Sequence, residues 1–267
     1  MAKDNKIVEK KKNQHRLSQI NRILNDKTHF NVVESYKATR TNIMFSLNNE
    51  KGCKKVMITS ATAGEGKTTF CINIAKTFAQ TGAKVLIIDA DLRAPRISKY
   101  LNIDTKKGLS NVLAGFDAFD DCVVKIDDNL HCICSGPIPP NPVELISSDN
   151  MKQLFEYLED KYDYIFIDTP PVNIVTEGVL LSKYVTGVVL VTRQKYSLYK
   201  MVEKAIGALK FANAKIIGFI LNDAKTGTVY SGYKSDGYRY GKKKNRYERY
   251  GYHNNETKEF DELNKNK

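Results

Sequence analysis

The amino-acid sequence predicts an α/β protein, a mainly parallel sheet flanked by helices. Three observations carry this reading. Short, nearly continuous apolar runs such as Val85-Leu86-Ile87-Ile88 and Val188-Val189-Leu190-Val191 fit strands buried on both faces. They alternate with segments whose apolar residues recur at helical spacing. Three of the runs end in loops of small or acidic residues, and sheets of this kind bind ligands at their strands' carboxyl ends.

Taken in order, residues 1–30 are polar, rich in Lys and Asn, and read as a basic flexible arm. A helix is expected from Asn31, with Val32, Val33, Tyr36, Ile43, Met44 and Leu47 as its apolar stripe. Glu34, Lys37 and Arg40 lie three apart on its polar side. Strands are expected at 55–59, 84–89, 130–134, 163–168, 186–192 and 215–221. Helices are expected at 67–81, 95–101, 108–114, 149–160, 177–183 and 198–212. This places one domain over 31–224 and a tail over 225–267. No apolar run reaches the roughly 18 residues that cross a bilayer, and the polar amino terminus does not read as a signal peptide.

The first loop carries chemistry. Val56-Met57-Ile58 is a strand, Ser60 to Gly66 a small-residue loop, and Lys67-Thr68-Thr69 opens a helix with Phe70, Ile74, Ala75 and Phe78 at helical spacing. Strand, glycine loop and helix with Gly66-Lys67-Thr68 at the turn form a phosphate-binding loop (P-loop). Gly64 and Gly66 let backbone N–H groups curl around phosphate oxygens together with Glu65 and Thr69, and the helix N-terminus adds partial positive charge. Lys67 reaches the β- and γ-phosphates, and the Thr68 hydroxyl is placed for Mg²⁺. The pattern departs from the standard at Ala61, where glycine is usual. The fold is therefore expected to be P-loop NTPase-like, with a nucleotide and Mg²⁺ as its ligands.

Two carboxylates, Asp89 and Asp91, end the run from Val85. If this strand neighbours the first, both reach the γ-phosphate region, where a carboxylate holds Mg²⁺ directly or through water, or accepts a proton from an incoming hydroxyl. The run Tyr164-Ile165-Phe166-Ile167 ends in Asp168, the usual second metal-side carboxylate, and Pro170-Pro171 stiffens the turn that follows. These motifs specify nucleotide binding and leave the phosphate acceptor open: an ATPase activates water, a kinase positions a hydroxyl.

Charge and the tail narrow the choice. The net charge is +12, and it sits at the ends: residues 1–27 hold eight Lys or Arg against three Asp or Glu, and residues 225–267 hold eleven against six. Basic ends on a nearly neutral middle suit an anionic surface. Seven of the 15 tyrosines fall in the tail: Tyr230, Tyr233, Tyr238, Tyr240, Tyr247, Tyr250 and Tyr252, interleaved with Gly, Ser, Lys and Arg. Phosphorylating each would add about −1.5 to −2 charges, turning the basic tail negative. Aromatics among basic residues also suit stacking on nucleic-acid bases, but no nucleic-acid partner is expected. The five cysteines, an odd number, read as reduced cytosolic thiols. Cys132 and Cys134 alternate in one strand and share a face. No second pair at ligand spacing supports a zinc site.

With these motifs assembled, the chain resembles a bacterial tyrosine kinase of the P-loop type, in the soluble Gram-positive form that accompanies capsular or exopolysaccharide synthesis. The matching marks are Ser60 to Thr68, Leu86 to Arg93, Ile165 to Pro171, Gly136 to Leu145 and the tyrosine cluster. The resemblance implies that Lys67 and Thr68 hold ATP–Mg²⁺, that Asp91 and Asp168 serve the metal, and that Asp89 is the base for the tyrosine hydroxyl. Asp89 and Asp91 remain exchangeable in these roles. Asn222, ending the last strand, is placed at the adenine. The resemblance implies autophosphorylation of the seven tail tyrosines, a cognate phosphatase, other protein tyrosine substrates, and a membrane-embedded polysaccharide co-polymerase as activator. The chain would thus lie at the inner face of the plasma membrane. It also implies a homo-oligomeric ring through a Glu-x-x-Arg-x-x-Arg helix face, here Glu34, Lys37 and Arg40. Lys37 keeps the charge but loses the bidentate fork. Ala63 stands where the family usually has proline. The alternative is a partitioning-type P-loop ATPase. Those carry a lysine at the position of Thr62, and they lack a tyrosine cluster.

Overall fold

The computed structural model describes residues 22–224. Helix α1 (Phe30–Ser46) precedes β1 (Lys54–Ser60), α2 (Lys67–Ala79) and β2 (Val85–Asp89). Three short helices follow, α3 (Ile97–Leu101), α4 (Leu109–Leu113) and α5 (Phe119–Cys122), then β3 (Val123–Asp127) and β4 (Leu130–Ile133). Next come α6 (Pro142–Ser147), α7 (Asp149–Glu159), β5 (Tyr164–Asp168) and α8 (Glu177–Leu181), which runs into a 3₁₀ turn (Ser182–Tyr184). The described part closes with β6 (Gly187–Arg193), α9 (Tyr199–Phe211) and β7 (Ile216–Asn222).

The strands form one seven-stranded sheet in the order β3-β4-β2-β5-β1-β6-β7. All pairs are parallel except β3 with β4. The side-chain period of two divides each central strand between two cores. Val56 and Ile58 of β1, Val85 and Ile87 of β2, and Phe166 of β5 face the core under α1 and α2. Met57, Leu86, Ile88, Ile165 and Ile167 face the core built with α4, α7, α8 and α9. Each such fully buried aliphatic side chain stabilises the fold by about 1.5–3 kcal/mol over leaving it in water. Phe78 of α2 anchors that helix, its ring 4.5 Å from Tyr164 and 5.1 Å from Phe166.

Several sequence expectations change here. The edge strand β3 and the helices α5 and α6 stand where no element was expected. β2 does not neighbour β1, because β5 lies between them. The result still brings the motifs together: Asp168 is in register with Ile58 on one side and with Asp89 on the other. The stripe of α1 is divided. Ile43 and Leu47 are buried and Tyr36 stacks on Phe70, but Val32 and Met44 are each 44 % exposed, because α1 lies at the sheet's rim. Inside the stretch expected as a flexible arm, Ile23 and Leu24 are buried. The rest of that arm and the tyrosine tail lie outside the described residues.

All five cysteines are free and buried. Burial pushes the Cys53 thiol up to about 12. Burial raises Cys71, and a hydrogen bond with Cys134, then burial, raises Cys132. Cys132 and Cys134 face the same core. Among the described residues no helix is long and apolar enough to cross a membrane.

Candidate active site

The phosphate loop is held from outside. Arg193, ending β6, and Tyr196 and Ser197 just beyond it reach the loop, as does Asn222, the last residue of β7. The Tyr196 hydroxyl donates to the Ala63 carbonyl at 3.0 Å, Arg193 to the Gly64 carbonyl at 3.4 Å, and Asn222 Nδ2 to the Glu65 carbonyl at 2.9 Å. Glu65 is itself fully buried. One of its oxygens accepts the Thr62 N–H at 2.8 Å and the other the Ser197 hydroxyl. With three loop carbonyls engaged, the N–H groups of the first turn of α2, which have no intrahelical partner, form an arrangement suited to an anion. Ala61 replaces glycine without strain: it is buried and does not adopt a positive φ.

Gly66 caps α2 at φ +95°, and a Cβ there would lie 2.0 Å from Asn222 Nδ2. Gly66→Ala is therefore expected to displace Asn222 and strain the turn, costing about 1–3 kcal/mol of stability and weakening nucleotide binding. Titration with a fluorescent ATP analogue, beside a melting curve, checks both effects.

The charged cluster sits at the next turn. Lys67 Nζ lies 3.2 Å from Asp91 Oδ2 and 3.4 Å from Asp168 Oδ1. Thr68 donates its hydroxyl to Asp168 Oδ2 at 2.6 Å. Asp89 is wholly buried and accepts backbone N–H groups from Asp91 at 3.3 Å, Arg96 at 3.2 Å and Ile97 at 3.1 Å. It thereby ties the loop after β2 to the start of α3. Burial, then the charge of Asp168, pushes the Asp89 carboxyl up to about 7. Burial also raises Asp168, against the pull of Lys67 and the Thr68 hydrogen bond. Desolvation disfavours the Lys67 ammonium, but the three carboxylates together outweigh it and hold its pKa above the usual lysine value.

The structure thus brings Lys67, Thr68, Asp89, Asp91 and Asp168 into one cluster. Gly64, Gly66, Thr69 and Asn222 line an adjoining cavity of about 840 Å³. The carboxylates do not form a cage of three protein ligands for a metal ion. That suits Mg²⁺, which keeps waters and takes phosphate oxygens beside one or two protein groups. Thr68 Oγ1 and Asp168 Oδ2 offer two hard oxygens side by side, and the ammonium among the carboxylates marks the place as one that attracts a cation. Glu34, Lys37 and Arg40 stand three residues apart along α1. Glu34 and Lys37 pair at 2.8 Å, whereas Arg40 donates to the Thr77 carbonyl near the end of α2 at 2.6 Å.

Sequence reasoning missed the brace of Arg193, Tyr196 and Ser197, which a loop of unremarkable composition conceals. It also missed Arg93, whose Nε donates to buried Glu177 at 2.6 Å, and Asn73, a buried polar residue on the inner face of α2. The signal for Asn73 was present: it interrupts an apolar helical face.

Comparison with known proteins agrees with this geometry. The AAA domain family profile matches residues 53–212. The tyrosine-protein kinase YwqD of Bacillus subtilis is 40 % identical over 193 residues, covering 72 % of this chain and 81 % of that protein. The kinase domain of the Escherichia coli tyrosine kinase ETK superposes with a TM-score of 0.70 and 34 % identity, covering 79 % of this chain and 80 % of that one. The septum site-determining protein MinD of Pyrococcus horikoshii, complexed with Mg-ADP, is more distant: 27 % identity, TM-score 0.54, 63 % of this chain and 70 % of that one. The fold is a nucleotide-binding one, and the chain belongs to the bacterial tyrosine-protein kinases.

Proposed function

We propose that the protein transfers the γ-phosphoryl group of ATP to protein tyrosines, including those of its own tail. The observation that carries this is the cluster itself: Lys67, Thr68, Asp91 and Asp168, from three separate strand ends, lie within 3.4 Å of their partners. The N–H groups of the loop hold the phosphates, and Lys67 leaves its carboxylates for the β- and γ-phosphate oxygens. Thr68, Asp91 and Asp168 would hold Mg²⁺, which when bound would offset charge on the transferring group. The tyrosine oxygen bonds to the γ-phosphorus as the bond to the β–γ bridging oxygen breaks. The hydroxyl proton passes to a carboxylate, and ADP leaves. Asp89, with its pKa near 7, is the group suited to take that proton.

The biological setting rests on the family resemblance. In this reading the kinase works in capsular or exopolysaccharide synthesis, in the cytoplasm beside a membrane-embedded activator, within a ring of its own copies, and against a cognate phosphatase. Partitioning ATPases share the fold at lower likeness, but Thr62 stands in place of their signature lysine.

Changing the seven tail tyrosines to phenylalanine is expected to leave ATP affinity unchanged and to remove most autophosphorylation, because the tail lies beyond every nucleotide motif. An anti-phosphotyrosine blot after incubation with Mg-ATP, with the activator's cytoplasmic peptide added if the isolated chain is silent, reads the second effect and calorimetry the first. Release of inorganic phosphate with no phosphotyrosine under either condition would favour the ATPase.

A further inference from the structure

The cavity beside the phosphate loop has two walls, and only one belongs to the nucleotide motifs. The opposite wall comes from the segment before β1: Arg22, Asn25, Lys27, His29, Val32 and Tyr36. This segment is fastened to α2. Asn73, 1 % exposed, accepts the Leu24 N–H at 2.8 Å and donates to the Arg22 carbonyl at 3.0 Å and the Tyr36 hydroxyl at 3.1 Å. Lys76 adds a 2.6 Å hydrogen bond to the Leu24 carbonyl, and Ile23 and Leu24 are buried beneath. A buried asparagine with all three contacts satisfied holds one geometry, since any other leaves polar groups unpaired.

We propose that residues 22–36 form the nucleoside-recognition wall of the kinase, latched to the phosphate-loop helix by Asn73. This rests on the proposed ATP-dependent reading. The chemistry of the wall suits a flat, polar heteroaromatic base. Val32 and Tyr36 supply apolar contact, the cations Arg22 and Lys27 suit the face of an aromatic ring, and Asn25 braces the segment, donating to the Ile23 carbonyl and accepting the Lys27 N–H, both at 2.9 Å. The cavity opens beside Gly64, Gly66 and Thr69, so a triphosphate seated on the loop places its nucleoside between this wall and Asn222. The latch also makes the wall and the phosphate loop one unit, because Asn73 and Lys76 sit two turns along the helix that Lys67 opens.

Inorganic tripolyphosphate, which has the phosphates of ATP and no nucleoside, separates the two walls. Two variants of the full chain are compared with wild type by calorimetry in Mg²⁺: Asn73→Leu, which releases the latch, and the double variant Arg22→Ala/Lys27→Ala, which removes two exposed side chains of the wall. Each is expected to weaken ATP binding at least fivefold and to leave tripolyphosphate binding within twofold. Equal loss for both probes in the double variant, or undiminished ATP affinity in it, would overturn the proposal, whatever the folding of Asn73→Leu. Wild-type protein that binds neither probe would instead sink the ATP-dependent reading on which the proposal stands.

Discussion

Lys67→Met is expected to lower tyrosine phosphorylation about a thousandfold or more, since positioned charge on the phosphoryl group supplies most of the catalysis in such enzymes. A phosphotyrosine blot of the purified variant reads this. The same substitution has a second, pH-dependent effect. Lys67 is the ammonium among three largely buried carboxylates, and removing one partner of a buried pair leaves charge uncompensated, at about 3–5 kcal/mol. Protonating the carboxylates relieves that cost. Asp89 and Asp168 already have raised pKa values with the lysine present, and losing it raises them further. The gap in melting temperature between wild type and variant should therefore be small near pH 5 and grow to about 5–10 °C near pH 8. A gap that narrows with rising pH would mean that Lys67 is not the counter-ion of these groups.

Asp89→Asn is expected to reduce turnover by about a hundredfold to ten-thousandfold while leaving ATP affinity within a few-fold, the signature of a proton acceptor that binds no phosphate. Wild-type kcat/KM should rise with pH up to about 7 and then level as Asp89 ionises. The variant should lack that inflection. An inflection that persists in Asp89→Asn and vanishes in Asp91→Asn would move the base to Asp91. The same shift has a sign for stability. The folded Asp89 keeps a proton that the unfolded chain has already released, so its contribution falls as pH rises from about 4 to about 7. Nucleotide-free protein is thus expected to melt lower at pH 7 than at pH 5, through this group.

Much of this was legible in the sequence because it is local. The phosphate loop, the two aspartate-ended strands and the helix α2 are each encoded within about fifteen consecutive residues. Strand order is not local. The place of β5 between β1 and β2 depends on pairing partners more than seventy residues away, and only the register of Asp168 with Ile58 and Asp89 shows why the motifs still converge. The edge strand β3, Val123-Val124-Lys125-Ile126-Asp127, escaped because an exposed lysine and a closing acidic residue break its apolar pattern. Arg193 and Tyr196 escaped for a different reason. Their role is to hold carbonyls of a loop more than 120 residues earlier, and no local pattern marks a residue for that work.

The burial of the five thiols has a consequence for how the molecule can be watched. With thiolate formation suppressed at Cys53, Cys71, Cys122 and Cys132, an alkylating reagent meets little reactive sulfur in the closed protein. Modification becomes a record of opening events. Cys53 lies just before β1, Cys71 on the phosphate-loop helix, Cys122 at the edge beside β3, and Cys132 and Cys134 at β4. The chain therefore carries reporters, native to its sequence, distributed across its layers. The rate at which each is modified measures how often that layer breathes, without a label being introduced.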